Sequence, residues 1–410
     1  MDAKRRRVRD KLAALPGVRA VRRPVTPGSD DRFDLYYVRA GRKSTQPVVI
    51  IPGGPGVASI LPYRTLRRRA AIIGLDVIMI EHRGVGMSRH ADSGADLPPA
   101  AITVDQVVDD VAAVLDDAGV ARAVVYGTSY GSYIAAGFGV RYRDRVAAMV
   151  LDSPVLSTDD IEAMRTAIRD LLWEGSDPQA IRLAPKVRRL VAAGVFKPSG
   201  GHLAGLLYGY GGARLLDRQL DLLLGGRTRV WSALRRIGRL SMRNIPYRNE
   251  ADLVGRIAFR ELNYAGVPDG LPLDPALHLG EMASGAKFYE PFDSEPYDLV
   301  AELPKFDWTT VVVSGDRDLT TPPAIAERVA SLVPGAVLVR LPTAAHSVLD
   351  TRGRAAFAVI RAVCDGAAEQ LSATAPELDA LPGRRVVRLI VSAISAATAV
   401  ESVLPARGTA

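Results

Sequence analysis

The stretch Val124-Val125-Tyr126-Gly127-Thr128-Ser129-Tyr130-Gly131 decides how the rest of this sequence is read. Ala123 to Tyr126 is a short, β-rich apolar run, and G-x-S-x-G follows it directly, ahead of a helical stretch. A serine on so tight a strand-to-helix turn is forced into a strained backbone conformation with its hydroxyl at the strand end. Glycines flank it because side chains two positions either way would collide with neighbouring backbone. As a bare pattern, G-x-S-x-G recurs by chance in ordinary turns; its position behind a strand is what gives it weight.

Working outward, similar runs occur at Phe33 to Val38, Val48 to Ile51, Val77 to Ile80, Val146 to Leu151, Val311 to Val313 and Val337 to Leu341. Runs this short, bounded by Gly, Pro or Asp, predict buried strands. Between the third and fourth strands, Val104, Val107, Val108, Val111, Val114, Leu115 and Ala118 repeat at helical spacing behind Thr103, with Gln106 completing a capping box. Strand and helix alternate from about 33 to 155 and again from about 309 to 370, which predicts a mostly parallel sheet with helices on both faces. The interval 156–305 breaks this rhythm with Leu- and Arg-rich helical spacing, as in Leu215, Leu216, Leu220, Leu223 and Leu224. The expected organisation is an α/β-hydrolase core at 1–155 and 306–371, an inserted helical cap at 156–305, and a C-terminal extension at 372–410 with no assigned role. In that extension Val387, Ile390, Val391 and Ile394 mark an apolar face. Leu389 to Val400 is too short an uncharged run to span a bilayer, so no integral membrane segment is expected. It is expected to dock on the core, pair with another subunit or lie on a membrane surface.

A serine hydroxyl needs a base to take its proton, and on this fold the partners follow in the order Ser, acid, His. Of the five histidines, His82 and His90 precede Ser129, His202 and His278 fall in the cap, and only His346 follows the last strands. His346 is therefore the expected base. The acid must orient the imidazole and stabilise its cation. Asp316 and Asp318 both follow the Val311 to Val313 strand, and Asp152 ends the Val146 to Leu151 strand, so three candidates stand. The oxyanion formed on attack needs two backbone N–H donors, each worth about 3 to 4 kcal/mol. Tyr130, next after the nucleophile, supplies one; the glycine-rich loop Pro52-Gly53-Gly54-Pro55-Gly56 is expected to supply the other.

With these pieces assembled, the sequence resembles the prolyl aminopeptidase and tripeptidyl aminopeptidase family. Its H-G-G-P-G loop is similar to Pro52 to Gly56, its D-x-R-G-x-G-x-S segment to Glu81-His82-Arg83-Gly84-Val85-Gly86-Met87-Ser88, and its G-x-S-Y-G elbow to Gly127 to Gly131. A fourth signature, G-x-x-D-x-x-T-P, is similar to Gly315 to Pro322 and selects Asp318 as the acid. The resemblance implies Gly54 as the second oxyanion donor and Glu261 as a cap carboxylate for a substrate's N-terminus. Glu261 also reads as an ordinary ion-pair partner of Arg256 or Arg260. Three departures stand out: Pro52 replaces the loop histidine, Glu81 the aspartate, and Ala345 the glycine before the histidine.

The 410 residues carry 53 Lys and Arg against 45 Asp and Glu, a net +8 spread along the chain without a nucleic-acid-binding signature. The one dense basic run, Lys4 to Arg9, is expected to be a solvated terminus, and no signal-peptide-like apolar run follows it. The single cysteine, Cys364, forms no intrachain disulfide, and no Cys/His spacing suggests a metal. No cofactor is implied, and a cytoplasmic setting fits; the oligomeric state is open. The expected activity is cleavage of an amide or ester through an acyl-enzyme, of the aminopeptidase kind on short peptides. A carboxylesterase or lipase on the same machinery is the alternative, and an idle hydrolase fold used for binding is a third reading.

Overall fold

The computed structural model describes residues 1–405, apart from 177, 179–180, 197–199, 242 and 285–288. The last five residues of the expected C-terminal extension therefore lie outside the described part.

Eight strands form one sheet: β1 (Val18–Pro24), β2 (Arg32–Ala40), β3 (Val48–Ile51), β4 (Val77–Ile80), β5 (Ala123–Thr128), β6 (Val146–Asp152), β7 (Thr310–Gly315) and β8 (Val337–Leu341), in the order β1-β2-β4-β3-β5-β6-β7-β8. The pairs β1/β2 and β2/β4 are antiparallel and all others parallel. Strand side chains alternate between faces. Val49, Val125 and Val312 enter one apolar cluster, and Val48, Ile50, Val124, Tyr126, Val311 and Val313 enter the other. Both clusters are roofed by helices, so the sheet is buried on both faces, which is why its strands read as continuous apolar runs.

The core helices are α1 (Ala3–Ala13), α2 (Arg64–Ile72), α3 (Val104–Asp117) and α4 (Tyr130–Arg141). Between β6 and β7 the chain inserts α5 (Asp160–Arg169), α6 (Leu183–Ala192), α7 (Gly200–Leu224), α8 (Arg229–Ser241), α9 (Ala251–Arg260), α10 (Pro275–Ser284) and the short α11 (Leu299–Glu302). After β7 come α12 (Pro323–Leu332), α13 (Val348–Thr351), α14 (Gly353–Cys364), α15 (Ala375–Ala380) and α16 (Arg385–Val403). The insertion has an apolar cluster of its own, built from residues such as Leu172, Val187, Leu216 and Leu220.

Four details depart from the sequence reading. Strand β1 was not expected, because Arg19, Arg22 and Arg23 interrupt its apolar residues; it is a half-solvated edge strand, where such charges discourage pairing with other chains. The capping box at α3 is half made: Thr103 accepts from Gln106 N at 3.3 Å, but the Gln106 side chain turns to Arg83, and Glu261 instead accepts from Val104 N at 2.9 Å. The basic N-terminal run is helical, and Arg5 pairs with Glu250 of the insertion at 2.5 Å. Within the extension, α15 adds Leu378 to the cluster under the sheet, while α16 lies on α7 and α8 of the insertion.

Candidate active site

The site follows from strand register. Ile51 of β3 pairs with Gly127 of β5, Thr128 with Asp152 of β6, and Gly315 of β7 with Leu341 of β8. The segments leaving these strands therefore emerge side by side along the carboxyl edge of the sheet, where open α/β sheets hold their ligands.

Ser129 sits between β5 and α4 with φ 53° and ψ −126°. The flanking glycines are sterically required: a Cβ on Gly127 would lie 2.1 Å from Gly131 O, and one on Gly131 would lie 2.1 Å from Ile51 O. His346, in the segment after β8, has its Nε2 2.9 Å from Ser129 Oγ and its Nδ1 2.8 Å from Asp318 Oδ2. Asp318 is buried, and its Oδ1 accepts from Thr320 N at 2.8 Å and Thr321 N at 3.0 Å, while Thr321 Oγ1 donates to Oδ2 at 2.9 Å. Burial works to raise the Asp318 pKa, but His346 and these donors outweigh it and hold the group below the usual carboxylate value. His346 shows the converse balance: burial lowers its pKa, attraction to Asp318 raises it further, and the net direction is up.

The other two acid candidates point elsewhere. Asp316 is turned to Arg340 on β8, at 2.8 Å. Asp152 lies beneath the site and accepts from Val348 N at 3.0 Å, Leu349 N at 2.9 Å and the Tyr126 hydroxyl at 2.9 Å. It caps the turn that follows His346, a role visible only once β6 and the His346 segment are neighbours. Thr321 was likewise not singled out, although the threonine of the G-x-x-D-x-x-T-P signature marks it.

Tyr130 N belongs to the first residue of α4, where helix N–H groups lack intrahelical acceptors. Gly53 abuts the nucleophile, since a Cβ there would stand 3.1 Å from Ser129 Cβ. Gly53 is thus the part of the loop seen next to Ser129; Gly54 adopts φ 138°. Where the resembled family has a histidine, Pro52 borders a small cavity with Gly53, His82 and Tyr130. His82 Nε2 is 3.0 Å from the Tyr130 hydroxyl, and burial pushes the His82 pKa down to about 4. Glu81 secures the loop from behind, accepting from Ser59 N at 2.6 Å and Ile60 N at 3.0 Å; burial raises its pKa to about 7. Ala345 is accommodated because the facing position on α7 is Gly209, where a Cβ would lie 3.1 Å from that of Ala345.

Two cavities flank this hydrogen-bonded chain. One is bounded by Ser129, Val155, Asp160, Ile161, Met164, Leu262, Tyr264 and Leu279. The other adjoins His346 and is bounded by Ile168, Leu206, Tyr210, Leu273 and the stacked pair His202 and His278. Burial keeps both cap histidines below the ordinary imidazole value, so they are neutral near pH 7. Glu261 borders neither cavity. One of its oxygens caps α3, the other is buried without a hydrogen-bond partner, and Arg256 and Arg260 pair with Glu290 instead. Asp160 is in the wall of the first cavity, and burial raises its pKa to about 7. Among the described residues no group of His, Cys, Asp and Glu is arranged to hold a metal.

A family model described as alpha/beta hydrolase fold matches residues 46–264. Among curated proteins, a probable proline iminopeptidase of Leptolyngbya boryana is 27% identical over 118 residues, covering 28% of this chain and 34% of that protein. A polyketide synthase, ThaQ, of Burkholderia thailandensis is 39% identical over 69 residues, which is 17% of this chain and 3% of the synthase. The matched stretches thus span about a third or less of these relatives. Among solved structures, a proline iminopeptidase of Mycobacterium smegmatis superposes with a TM-score of 0.50 at 16% identity, covering 88% of this chain and 99% of that one. At that identity the likeness speaks to the fold alone.

Proposed function

This chain belongs to the α/β-hydrolase fold family, and on that premise we propose that it is a serine hydrolase cleaving an amide or ester bond through an acyl-enzyme. The observation that carries this reading is the continuous hydrogen-bonded chain from Ser129 Oγ through His346 to Asp318, with Ser129 in the wall of a cavity. Ser129 Oγ attacks the carbonyl carbon as its proton passes to His346 Nε2, and Asp318 stabilises the imidazolium. Tyr130 N–H and Gly54 N–H take the charge that develops on the carbonyl oxygen. His346 then protonates the departing amine or alcohol, and a water molecule, deprotonated by the same imidazole, releases the acyl group from Ser129.

Within this class we read the protein as an aminopeptidase on short peptides, of the prolyl or tripeptidyl aminopeptidase kind. Support comes from the partial likeness to a proline iminopeptidase and from two carboxylates near the cavity, Asp160 and Glu295, whose pKa burial raises to about 7. Asp160 borders it, and Glu295, beside Asp160, has a buried oxygen without a partner. A buried ammonium requires such a partner. Glu261, committed on one oxygen to α3 and bordering neither cavity, does not support that task. The alternative, a carboxylesterase or lipase, is favoured by the apolar wall of Val155, Ile161, Met164, Leu262 and Leu279.

The discriminating experiment compares aminoacyl amides with their N-blocked counterparts and with short and long acyl esters. The aminopeptidase reading predicts turnover of free aminoacyl amides that is lost on N-blocking. Equal turnover of blocked amides, or turnover of esters alone, rejects it in favour of the esterase.

A further inference from the structure

Helix α16 is apolar on two opposite faces, and the fold covers only one. Val391 and Ile394 pack on the insertion's apolar cluster, and Thr398 and Glu401 continue that buried stripe. On the other side Val386, Leu389, Ile390, Val400 and Val403 are between 54% and 82% exposed. The helix is 19 residues long with mean hydropathy 1.7, yet only 11% of its most apolar window is buried. Helices apolar all round are ordinarily enclosed by protein or lipid.

The rim of this face is basic. Arg385 and Arg388 are exposed at the start of α16. Helix α8, whose first amides donate to Glu401 at 2.6 and 2.9 Å, exposes Ile237 and Leu240 beside Arg235, Arg236 and Arg239. No acidic residue occurs in α8, and none of these five arginines forms an ion pair among the described residues.

We propose that α16 and α8 together form a docking face for bilayers rich in anionic lipid. An apolar helix face rimmed by unpaired arginines matches the interfacial pattern: aliphatic side chains enter the headgroup boundary and guanidiniums meet phosphates. A symmetric contact with a second copy would bring like-charged rims toward each other. Insertion across the bilayer would require α16 to leave the cap, breaking the Gln219 to Thr398 bond at 2.6 Å, the Glu401 cap of α8 and the Arg227 to Leu404 bond at 2.9 Å. The helix therefore lies along the surface. The segment α7 bonds α16 through Gln219 and borders the cavity beside His346 with Leu206 and Tyr210, on the two sides of a kink at Gly212.

The test is sedimentation of the full-length protein with phosphatidylcholine vesicles, with and without phosphatidylglycerol, at low and high salt. The expected result is binding that needs phosphatidylglycerol and weakens with salt. Each arginine near such a surface contributes roughly fivefold, so Arg235→Gln, Arg236→Gln and Arg239→Gln combined should lower binding on the order of 100-fold. Leu389→Asp with Ile390→Asp should lower it as well; an unchanged thermal melt in each variant verifies that the fold survives. Three results overturn the proposal: no binding to phosphatidylglycerol vesicles, binding indifferent to lipid charge and to the arginines, or a vesicle-free self-association abolished by the same substitutions, which would assign the face to a second copy.

Discussion

Asp316 and Asp318 stand two positions apart, and their fates differ because of a residue on another strand. Arg340 on β8 draws Asp316 aside, while the turn at Thr320 and Thr321 closes over Asp318 and aims it at His346. Asp318→Asn should lower kcat by about 10⁴-fold, because the amide favours the wrong imidazole tautomer. Asp316→Asn should leave kcat within about 2-fold, since it touches only an exposed pair. Steady-state kinetics on one substrate checks both. The base must be neutral to accept the Ser129 proton, and His346 is held above its ordinary 6.5 by Asp318. The kcat/KM profile should therefore rise with pH through a midpoint above 6.5, and Asp318→Asn should move that midpoint down. A midpoint unmoved by the substitution would contradict the assignment. The meeting of Ser129 and His346 was expected from the sequence, one from the glycines its turn demands and the other by elimination among five histidines; that they are nucleophile and base is the proposal. Which aspartate meets His346 was not legible from local residues; a family signature selected Asp318, because Arg340, which draws Asp316 aside, is distant in sequence.

At the scale of elements, strand ends and helix caps hold the site. Asp152 satisfies two amides of the turn after His346, so Asp152→Asn, which presents an amide group to one of those donors, should cost roughly 2 kcal/mol. Its signature is a lower melting temperature with Asp318 intact. Gly131→Ala drives a methyl into the Ile51 carbonyl and should prevent soluble expression rather than merely slow the enzyme. Glu401 caps two α8 amides, and Glu401→Ala should destabilise the protein by about 1 to 2 kcal/mol. Denaturant melts measure that loss. The helix after Thr103 was readable from its apolar spacing, yet its true second cap, Glu261, lies more than 150 residues away in the insertion. Spacing announces helices; it does not say which distant carboxylate serves them.

For the whole molecule, the parallel sheet was readable because strands buried on both faces become short apolar runs bounded by turn residues. The edge strand β1 was not, since a strand half in water carries arginines that imitate a loop. Where the rhythm breaks, between β6 and β7, the described residues form helices and no strand of the sheet. The docking of α16 on these helices was not readable, because Val391 and Ile394 look the same whichever surface they cover. The path from a strained serine through a sheet edge to a roofed cavity leads to one central claim, that Ser129 is a nucleophile activated by His346. A fluorophosphonate probe followed by intact mass and peptide mapping tests it most directly. The account predicts a single adduct on Ser129, absent from Ser129→Ala and strongly slowed in His346→Ala. An unlabelled wild type, or equal labelling of Ser129→Ala, would contradict it.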